Sequence, residues 1–253
     1  MLKSDPFNMF SIFKKKYPSV PVNFSGIGTD MHSHLLPGID DGSPDLEMSV
    51  RLKKGLEETG LKQFITTPHI MWDIYKNTAS TIDAALKTLQ QKDGQTNIRA
   101  AAEYFMDEYF DSLLAADEPL LTIQNKMVLV EFSFVAAPLD LKEKIFALQI
   151  KGYQPILAHP ERYEYLAGNK AVFDELKSMG CLFQVNLLSL TGYYGKIPND
   201  LAAYLISKNY IDFAGTDLHH LRHLQALHQS KHIMPALLRL LNSGKLQNHS
   251  LTL

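Results

Sequence analysis

The chain is poor in cysteine, in net charge and in long apolar runs. Its 253 residues include one cysteine and carry a formal net charge of −2. A single cysteine excludes an internal disulfide framework and is typical of a reducing compartment. Near-neutral charge argues against a general nucleic-acid binder, which normally has a basic face. No apolar run approaches the roughly 20 residues that a membrane span requires. We therefore expect a cytoplasmic protein with no nucleic-acid partner and no stable membrane insertion.

The N-terminal stretch also lacks the order of a secretory signal. Lys14, Lys15 and Lys16 follow a short apolar patch, whereas a secretory signal places its charge before a longer apolar segment. We expect residues 1–25 to form an N-terminal arm. Residues 26–253 are expected to form a single domain, because 45% apolar residues suffice for one large core.

Apolar strand-like runs alternate with segments of helical spacing along the whole domain. The expected strands are 28–34, 62–67, 98–104, 127–132, 154–159, 182–186 and 211–216. The expected helices are 46–59, 79–92, 107–116, 141–150, 171–179, 201–208 and 233–241. Strict alternation with nearly all-apolar strands predicts an α/β fold around a buried parallel sheet. The count gives seven strand–helix units.

Nine potential metal ligands follow these apolar runs. They are His32, His34, Asp41, His69, Glu103, Glu131, His159, Asp217 and His219. Imidazoles and carboxylates are the ligands of hydrolytic metal centres, and this set is sufficient for two or three ions. Six of the seven predicted strands end at such residues. An open doubly wound sheet would gather ligands near one switch point, so a distorted TIM-like barrel explains the distribution better.

Local spacing supports a shared site. His32 and His34 lie two residues apart, so on extended backbone their side chains point to the same side. Asp41 lies on a loop bounded by Gly38 and Gly42 that can fold back over the site. Each residue alone has a simpler interpretation, as a core histidine or a helix cap. These simpler interpretations would have to apply independently at equivalent places in successive strand–helix units. A single metal centre explains all of the places at once and is therefore favoured.

Several neighbouring polar residues are assigned to other roles. We expect Asp30 to orient His32 from behind and Asp40 to point away from Asp41. Four further histidines in or near a helix after the site are expected at the surface: His220, His223, His228 and His232.

The motifs that carry these ligands resemble the polymerase-and-histidinol-phosphatase (PHP) superfamily. The matching motifs are Asp30-x-His32-x-His34, Thr67-Pro68-His69, Glu131, His159-Pro160-Glu161-Arg162 and Thr216-Asp217-x-His219. A finer similarity is to bacterial protein tyrosine phosphatases of capsule and exopolysaccharide loci. It rests on the strings from His32 to Gly42, Val130 to Ser133 and Gln184 to Asn186. The resemblance extends from about Thr29 to the last helix.

This resemblance implies a fold, a metal centre and a substrate. It implies a PHP fold with a distorted barrel of seven strands and a trinuclear centre built on the nine ligands. Manganese is the implied metal, with iron, magnesium or zinc as alternatives. The implied partner is an autophosphorylated bacterial tyrosine kinase that controls capsule or exopolysaccharide synthesis. Arg162 would bind phosphate. The family has a further arginine after the last ligand pair, for which Arg222 is the nearest candidate as a second phosphate clamp. The sequence departs from the family here, because His220 replaces the usual Asn and Leu224 stands where the arginine is expected.

The expected mechanism is phosphotyrosine hydrolysis by a metal-activated hydroxide. Glu131 would bridge two ions, Arg162 would stabilise the equatorial phosphate oxygens, and His69 could donate a proton to the leaving group. For Arg162 the simpler alternative is a salt bridge with Glu161 or Glu164.

A cysteine-based phosphatase is excluded, because Cys-x5-Arg is required and position 187 after Cys181 is Leu. We expect Cys181 to be a small buried apolar residue. Three alternatives stay open: a small-molecule phosphatase such as histidinol phosphatase, a nuclease, and a non-catalytic phosphotyrosine-binding regulator. Tyr193-Tyr194-Gly195 either forms an aromatic wall for the substrate ring or merely packs its loop.

Overall fold

The computed structural model describes residues 22–253, and within this range it has nine short strands and eight α-helices. The strands are β1 (Thr29–Asp30), β2 (Gln63–Thr66), β3 (His69–Ile70), β4 (Ile98–Ala100), β5 (Glu103–Phe105), β6 (Met127–Glu131), β7 (Gln154–Ala158), β8 (Leu182–Asn186) and β9 (Phe213–Gly215). The helices are α1 (Leu46–Glu57), α2 (Ala79–Asp93), α3 (Glu108–Ala115), α4 (Leu141–Ile150), α5 (Ala171–Ser178), α6 (Lys196–Ser207), α7 (Leu221–Gln229) and α8 (Ile233–Asn242). The predicted alternation of parallel strands and helices is confirmed.

The strands form two parallel sheets, with orders β1-β2-β4 and β3-β5-β6-β7-β8-β9. The predicted strand 98–104 is wrong as a single element, because Ala101 and Ala102 separate β4 from β5. Pro68 divides β2 from β3 in the same way, since proline has no N–H to donate to a ladder. The interruption is bridged by Ala101 N–H donating to the Thr66 carbonyl at 2.9 Å and Glu103 N–H donating to the Pro68 carbonyl at 3.1 Å. β2 and β3 therefore belong to one interrupted chain segment but to different sheets, and the same holds for β4 and β5.

The first and last strands approach each other beyond their named ends. Ser33 and Leu218 form an isolated parallel bridge. Asp217 N–H donates to the His32 carbonyl at 2.8 Å, and His34 N–H donates to the Leu218 carbonyl at 3.0 Å. The segments that carry the first and last predicted ligands consequently lie side by side.

The strands bury side chains on both faces. One apolar cluster contains the strand residues Ile65, Leu129, Ile156 and Phe213, together with Met31 directly after β1. Alternate strand positions face a larger cluster that fills the space between strands and helices. Burial on both faces accounts for the nearly all-apolar strand sequences.

Some boundaries differ from expectation. Helix α6 begins at Lys196, before the predicted 201, because Pro198 in the first turn forfeits no helical hydrogen bond. Phe24 is fully buried in the core, so packing begins before the expected domain start at residue 26. The rest of the predicted arm, residues 1–21, lies outside the described residues. Within residues 22–253, every helix is too short or too polar to cross a bilayer.

Candidate metal centre

All nine predicted ligands converge. Glu131 ends β6 and His159 follows β7, whereas His69 and Glu103 are the first residues of β3 and β5. Their donor atoms form four overlapping groups, and the atoms of each group lie within 4.8 Å of one another. The groups are His34–Asp41–His69–His219, His32–Glu103–His159, His32–His34–Asp217 and His69–Glu103–Glu131. The overlap shows that the groups are parts of one centre.

Glu103 lies in the middle of this centre. Its Oε2 is 3.2 Å from His32 Nε2 and 3.2 Å from His69 Nδ1. Its Oε1 is 3.1 Å from His159 Nε2. Glu103 belongs to two of the donor groups, whereas Glu131, the residue expected to bridge two ions, belongs to one.

Asp217 closes the centre on the side of the last strand. Its Oδ1 lies 3.4 Å from both His32 Nε2 and His34 Nε2. Asp217 has φ of 49° and His159 has φ of 31°. This left-handed backbone is uncommon for residues other than glycine and is often maintained at functional sites.

Asp41 marks the open side of the centre. Its Oδ1 lies 3.5 Å from His69 Nε2 and 3.5 Å from His219 Nε2, and its side chain is 53% exposed. The loop that carries Asp41 does fold back over the site. Gly42 allows this close approach, because a Cβ there would lie 2.3 Å from the His34 carbonyl oxygen.

The groups behind the ligands differ from the prediction. Asp30 was expected to orient His32, but its carboxylate accepts from Thr216 N–H at 2.9 Å and Thr216 Oγ1 at 2.6 Å. Gln184 Oε1 instead lies 2.8 Å from His32 Nδ1. Asp40 Oδ2 lies 2.8 Å from His34 Nδ1. The sequence signal for Gln184 is an amide in the middle of a largely apolar strand, and buried amides require hydrogen-bond partners.

The buried charges fit cations. Burial lowers the pKa of His69, but the Glu131 and Glu103 carboxylates outweigh burial and raise it to about 9. Burial raises the pKa of the Glu103 carboxyl. The neighbouring imidazoles outweigh burial and hold this pKa well below its ordinary value. Four buried ligand atoms accept or donate no hydrogen bond among the described residues, although Glu103 Oε1 lies at ion-pair distance from His159 Nε2. They are His69 Nδ1, Glu103 Oε1, Glu131 Oε1 and His159 Nδ1. Ionised carboxylates and imidazole nitrogens that converge in this way form a set of ligand atoms suited to divalent ions.

A cavity of about 210 Å³ opens onto the centre. Its described lining consists of Asp41, His69, Glu131, Phe134, His159, Arg162, Tyr194, Asp217, His219, His220 and His223. Arg162 lies in its wall, and Arg162 Nη1 is 3.0 Å from Asp217 Oδ2. The alternative pairing of Arg162 with Glu161 or Glu164 is wrong, because the ion pair that Arg162 makes among the described residues is with Asp217. The Glu161 carboxylate accepts from Asn186 N–H at 2.9 Å.

Helix α7 gives the cavity a different rim from the predicted one. Arg222 is exposed on α7 and is absent from the described cavity lining. His220 and His223 line the cavity instead, and His223 is buried, so their assignment to the surface is wrong. His228 and His232 are exposed as predicted.

Two aromatic residues complete the wall. Tyr194 lines the cavity as the aromatic-wall hypothesis requires, whereas Tyr193 is exposed and lies outside the lining. Phe134 was not predicted, although it follows Glu131 by three residues. The buried state of Cys181 is confirmed, and burial raises the pKa of its thiol to about 12. A thiolate nucleophile at Cys181 is therefore excluded.

Comparisons with known proteins show which family this chain resembles. The profile of the family described as capsular polysaccharide synthesis, CpsB/CapC, matches residues 28–232. The tyrosine-protein phosphatase YwqE of Bacillus subtilis is 29% identical over 197 residues, which cover 76% of this chain and 78% of that protein. The tyrosine-protein phosphatase CpsB of Streptococcus agalactiae is 27% identical over 208 residues, covering 76% and 83%.

A solved structure is also similar. It is described with YwqE from Bacillus subtilis and CpsB from Streptococcus pneumoniae as unique metal-dependent tyrosine phosphatases. It matches with a TM-score of 0.73 and 28% identity over 88% of this chain and 90% of that chain.

Proposed function

The chain belongs to the capsular polysaccharide synthesis CpsB/CapC family, and on this basis we propose that it is a metal-dependent protein tyrosine phosphatase. The observation that carries the proposal is the convergence of nine ligand-type side chains in one centre, six of which line a cavity together with Arg162. The cluster supplies cation sites, and the guanidinium supplies a phosphate contact next to them. The likeness to proteins named tyrosine phosphatases supports the same reaction.

The proposed cofactor is Mn²⁺, bound as two or three ions by the nine ligands. The four overlapping donor groups would supply the positions, and Glu103, a member of two of them, would be shared between ions. When bound, such ions neutralise phosphate charge and lower the pKa of bound water from 15.7 towards roughly 7, which supplies a hydroxide nucleophile.

The protein's own side chains bind and orient the substrate. Arg162 binds the phosphoryl oxygens and stabilises the charge that develops on them. Asp217 holds Arg162 in place, and Asn186 Nδ2 in turn donates to Asp217 Oδ2 at 2.7 Å. Glu131 and His69 face the cavity from the ligand cluster, where His69 can pass a proton to the leaving oxygen. Tyrosine has an ordinary pKa of about 10, so its phenolate needs little help from a general acid.

The fold in this proposal is a distorted TIM-like barrel of seven strand–helix units. The Ser33–Leu218 bridge supports it, because it joins the segment after β1 to the segment after β9. With β2 and β3 counted as one interrupted strand, and β4 and β5 as another, the chain has seven strand segments. Such a barrel brings all strand ends to one face, where the ligands lie.

The proposed substrate is an autophosphorylated bacterial tyrosine kinase in a capsule or exopolysaccharide system, and the proposed compartment is the cytoplasm. Support comes from the capsule family and from relatives named tyrosine phosphatases. A net charge of −2 gives no electrostatic reason to expect a nucleic-acid substrate.

The test is a metal titration with p-nitrophenyl phosphate. Chelation should abolish hydrolysis, and Mn²⁺ should restore it better than Mg²⁺. Asp217→Asn should bind less metal and lose turnover, because it removes a buried charge shared by two donor histidines. Full activity of the metal-free protein would overturn the proposal.

A further inference from the structure

Two aromatic rings, Phe134 and Tyr194, lie in a cavity wall that is otherwise made of charged groups and imidazoles in its described lining. Both rings contact Arg162. The guanidinium carbon is 4.6 Å from the centroid of the Phe134 ring and 4.3 Å from that of the Tyr194 ring. Apolar ring surface therefore lies directly beside the position that Arg162 gives to a bound phosphoryl group.

The two rings are held differently. The Tyr194 hydroxyl accepts from Asn186 Nδ2 at 3.3 Å, and the same Asn186 donates to Asp217. Tyr194 is thus tied to the network that positions Arg162. Phe134 has no polar atom, and it is 45% exposed. Its ring centroid lies 5.5 Å from that of His159 and 5.7 Å from that of Tyr163, so part of its surface is packed and the rest faces solvent.

We propose that Phe134 is the residue that selects aryl phosphates, by contacting the ring of the substrate tyrosine. The inference rests on the proposed function and adds a specificity-determining residue to it. A phosphoryl group on Arg162 brings an attached ring within reach of the exposed Phe134 surface. Aromatic pairs prefer offset or edge-to-face contact, which a side wall permits. The serine side chain is one carbon long and presents no ring to this surface.

The contact is made by the substrate's ring and not by its reacting atoms. It acts equally on the bound substrate and on the transition state, so its loss raises KM and leaves kcat nearly unchanged. Binding of phosphate without a ring does not use it.

The test compares KM for a phosphotyrosine peptide with the inhibition constant of inorganic phosphate in the Mn²⁺-loaded protein. Phe134→Ala and Phe134→Leu should raise KM about two- to tenfold, on the scale of one aromatic contact. Both should leave kcat and the inhibition constant of phosphate close to wild type. Phe134→Tyr should restore KM. The matched control is Phe146→Ala, which removes a 59% exposed ring on α4 that is not part of the described cavity lining.

The outcomes separate the inference from its premise. A parallel rise in the inhibition constant of phosphate would show that Phe134 acts through Arg162, which overturns the inference. An unchanged KM in both the Ala and the Leu variants would overturn it as well. Wild-type protein that is folded and metal-loaded but inactive on phosphotyrosine would instead overturn the proposed function. Circular dichroism on each variant keeps a folding defect from imitating any of these results.

Discussion

Arg162 is the one guanidinium that the described cavity wall contains. Its side chain is 24% exposed, it pairs with Asp217, and two aromatic rings contact it. Arg162→Ala should lower turnover by roughly two to three orders of magnitude, the scale of one lost transition-state charge stabiliser. Metal content should stay at the wild-type level, because guanidinium is not a ligand. Both quantities are measured on one preparation, by steady-state kinetics and elemental analysis.

Arg222→Ala is the matched control for this substitution. Arg222 is exposed on α7 and is not among the described residues that line the cavity. Its removal should leave turnover near wild type. Equal losses in the two variants would contradict the special position assigned to Arg162 and would return Arg222 to the role of phosphate clamp.

Substitution of Cys181 tests the alternative of a cysteine-based mechanism. Its thiol is buried, and burial raises the thiol pKa to about 12. Cys181→Ser should retain most activity, and thiol alkylation of the wild-type protein should have no effect on the rate. A folded but inactive Cys181→Ser would show that the chemistry depends on sulfur and not on the metal centre.

The sequence predicted the nine ligand-type residues better than the side chains that hydrogen-bond them. Their positions after apolar runs were sufficient to predict a shared site, and the structure brings all nine together. Those side chains could not be assigned in the same way. Asp30 lies two residues before His32 and Asp40 lies directly before Asp41, yet of these two only Asp40 hydrogen-bonds a ligand imidazole. Gln184 contacts His32 from the distant strand β8. Such contacts depend on side-chain direction in three dimensions.

At the scale of elements, the loop between β1 and α1 places Asp41 over the centre. Gly42 is its tightest point, since a Cβ there would meet His34 Cβ at 2.4 Å as well as the His34 carbonyl oxygen at 2.3 Å. Backbone atoms cannot rotate away from such a clash. Gly42→Ala should therefore cost about 1–3 kcal/mol of stability. It should also weaken Mn²⁺ binding, because the loop carries a ligand.

Urea unfolding and calorimetric metal titration measure these two effects. Gly168→Ala is the control, because a Cβ at Gly168 would meet no heavy atom within 4 Å. The control should be close to neutral in both measurements. Wild-type metal affinity in Gly42→Ala would contradict the role given to the loop.

The positions of helices and strands could be predicted where hydrophobic periodicity determines them. Strands β6 to β8 and most helices match their predicted positions within one or two residues. The division of the second and third strands was not predicted. Pro68 and the Ala101–Ala102 pair interrupt the ladders, although the surrounding residues continue as one apolar run. Periodicity reports which residues are buried, and it does not report whether each hydrogen bond of a ladder is made.

At the scale of the whole molecule, the charges of the nine ligands together determine the pKa values of the ligand imidazoles. Neighbouring carboxylates overcome the effect of burial and raise the pKa values of His32, His34 and His69, the last to about 9. The same carboxylates therefore favour the protonated form of these imidazoles in the metal-free protein. A cation must displace the protons to bind.

Metal binding should consequently release protons, and the apparent Mn²⁺ affinity should rise as pH increases from 6 to 8. Calorimetric titrations at one pH, in two buffers with different ionisation enthalpies, count the protons released. Binding without proton release, and with an affinity independent of pH, would contradict the protonation assigned to the centre.

The central claim is that the metal centre serves phosphotyrosine. It is tested by initial rates of the Mn²⁺-loaded protein on a tyrosine-phosphorylated tail peptide, a phosphoserine peptide and histidinol phosphate at matched concentrations. We predict a clear preference for the phosphotyrosine peptide, because the cavity combines a phosphate contact with an exposed aromatic wall. A clear preference for histidinol phosphate would contradict the tyrosine phosphatase assignment and leave a metal-dependent phosphatase of small molecules.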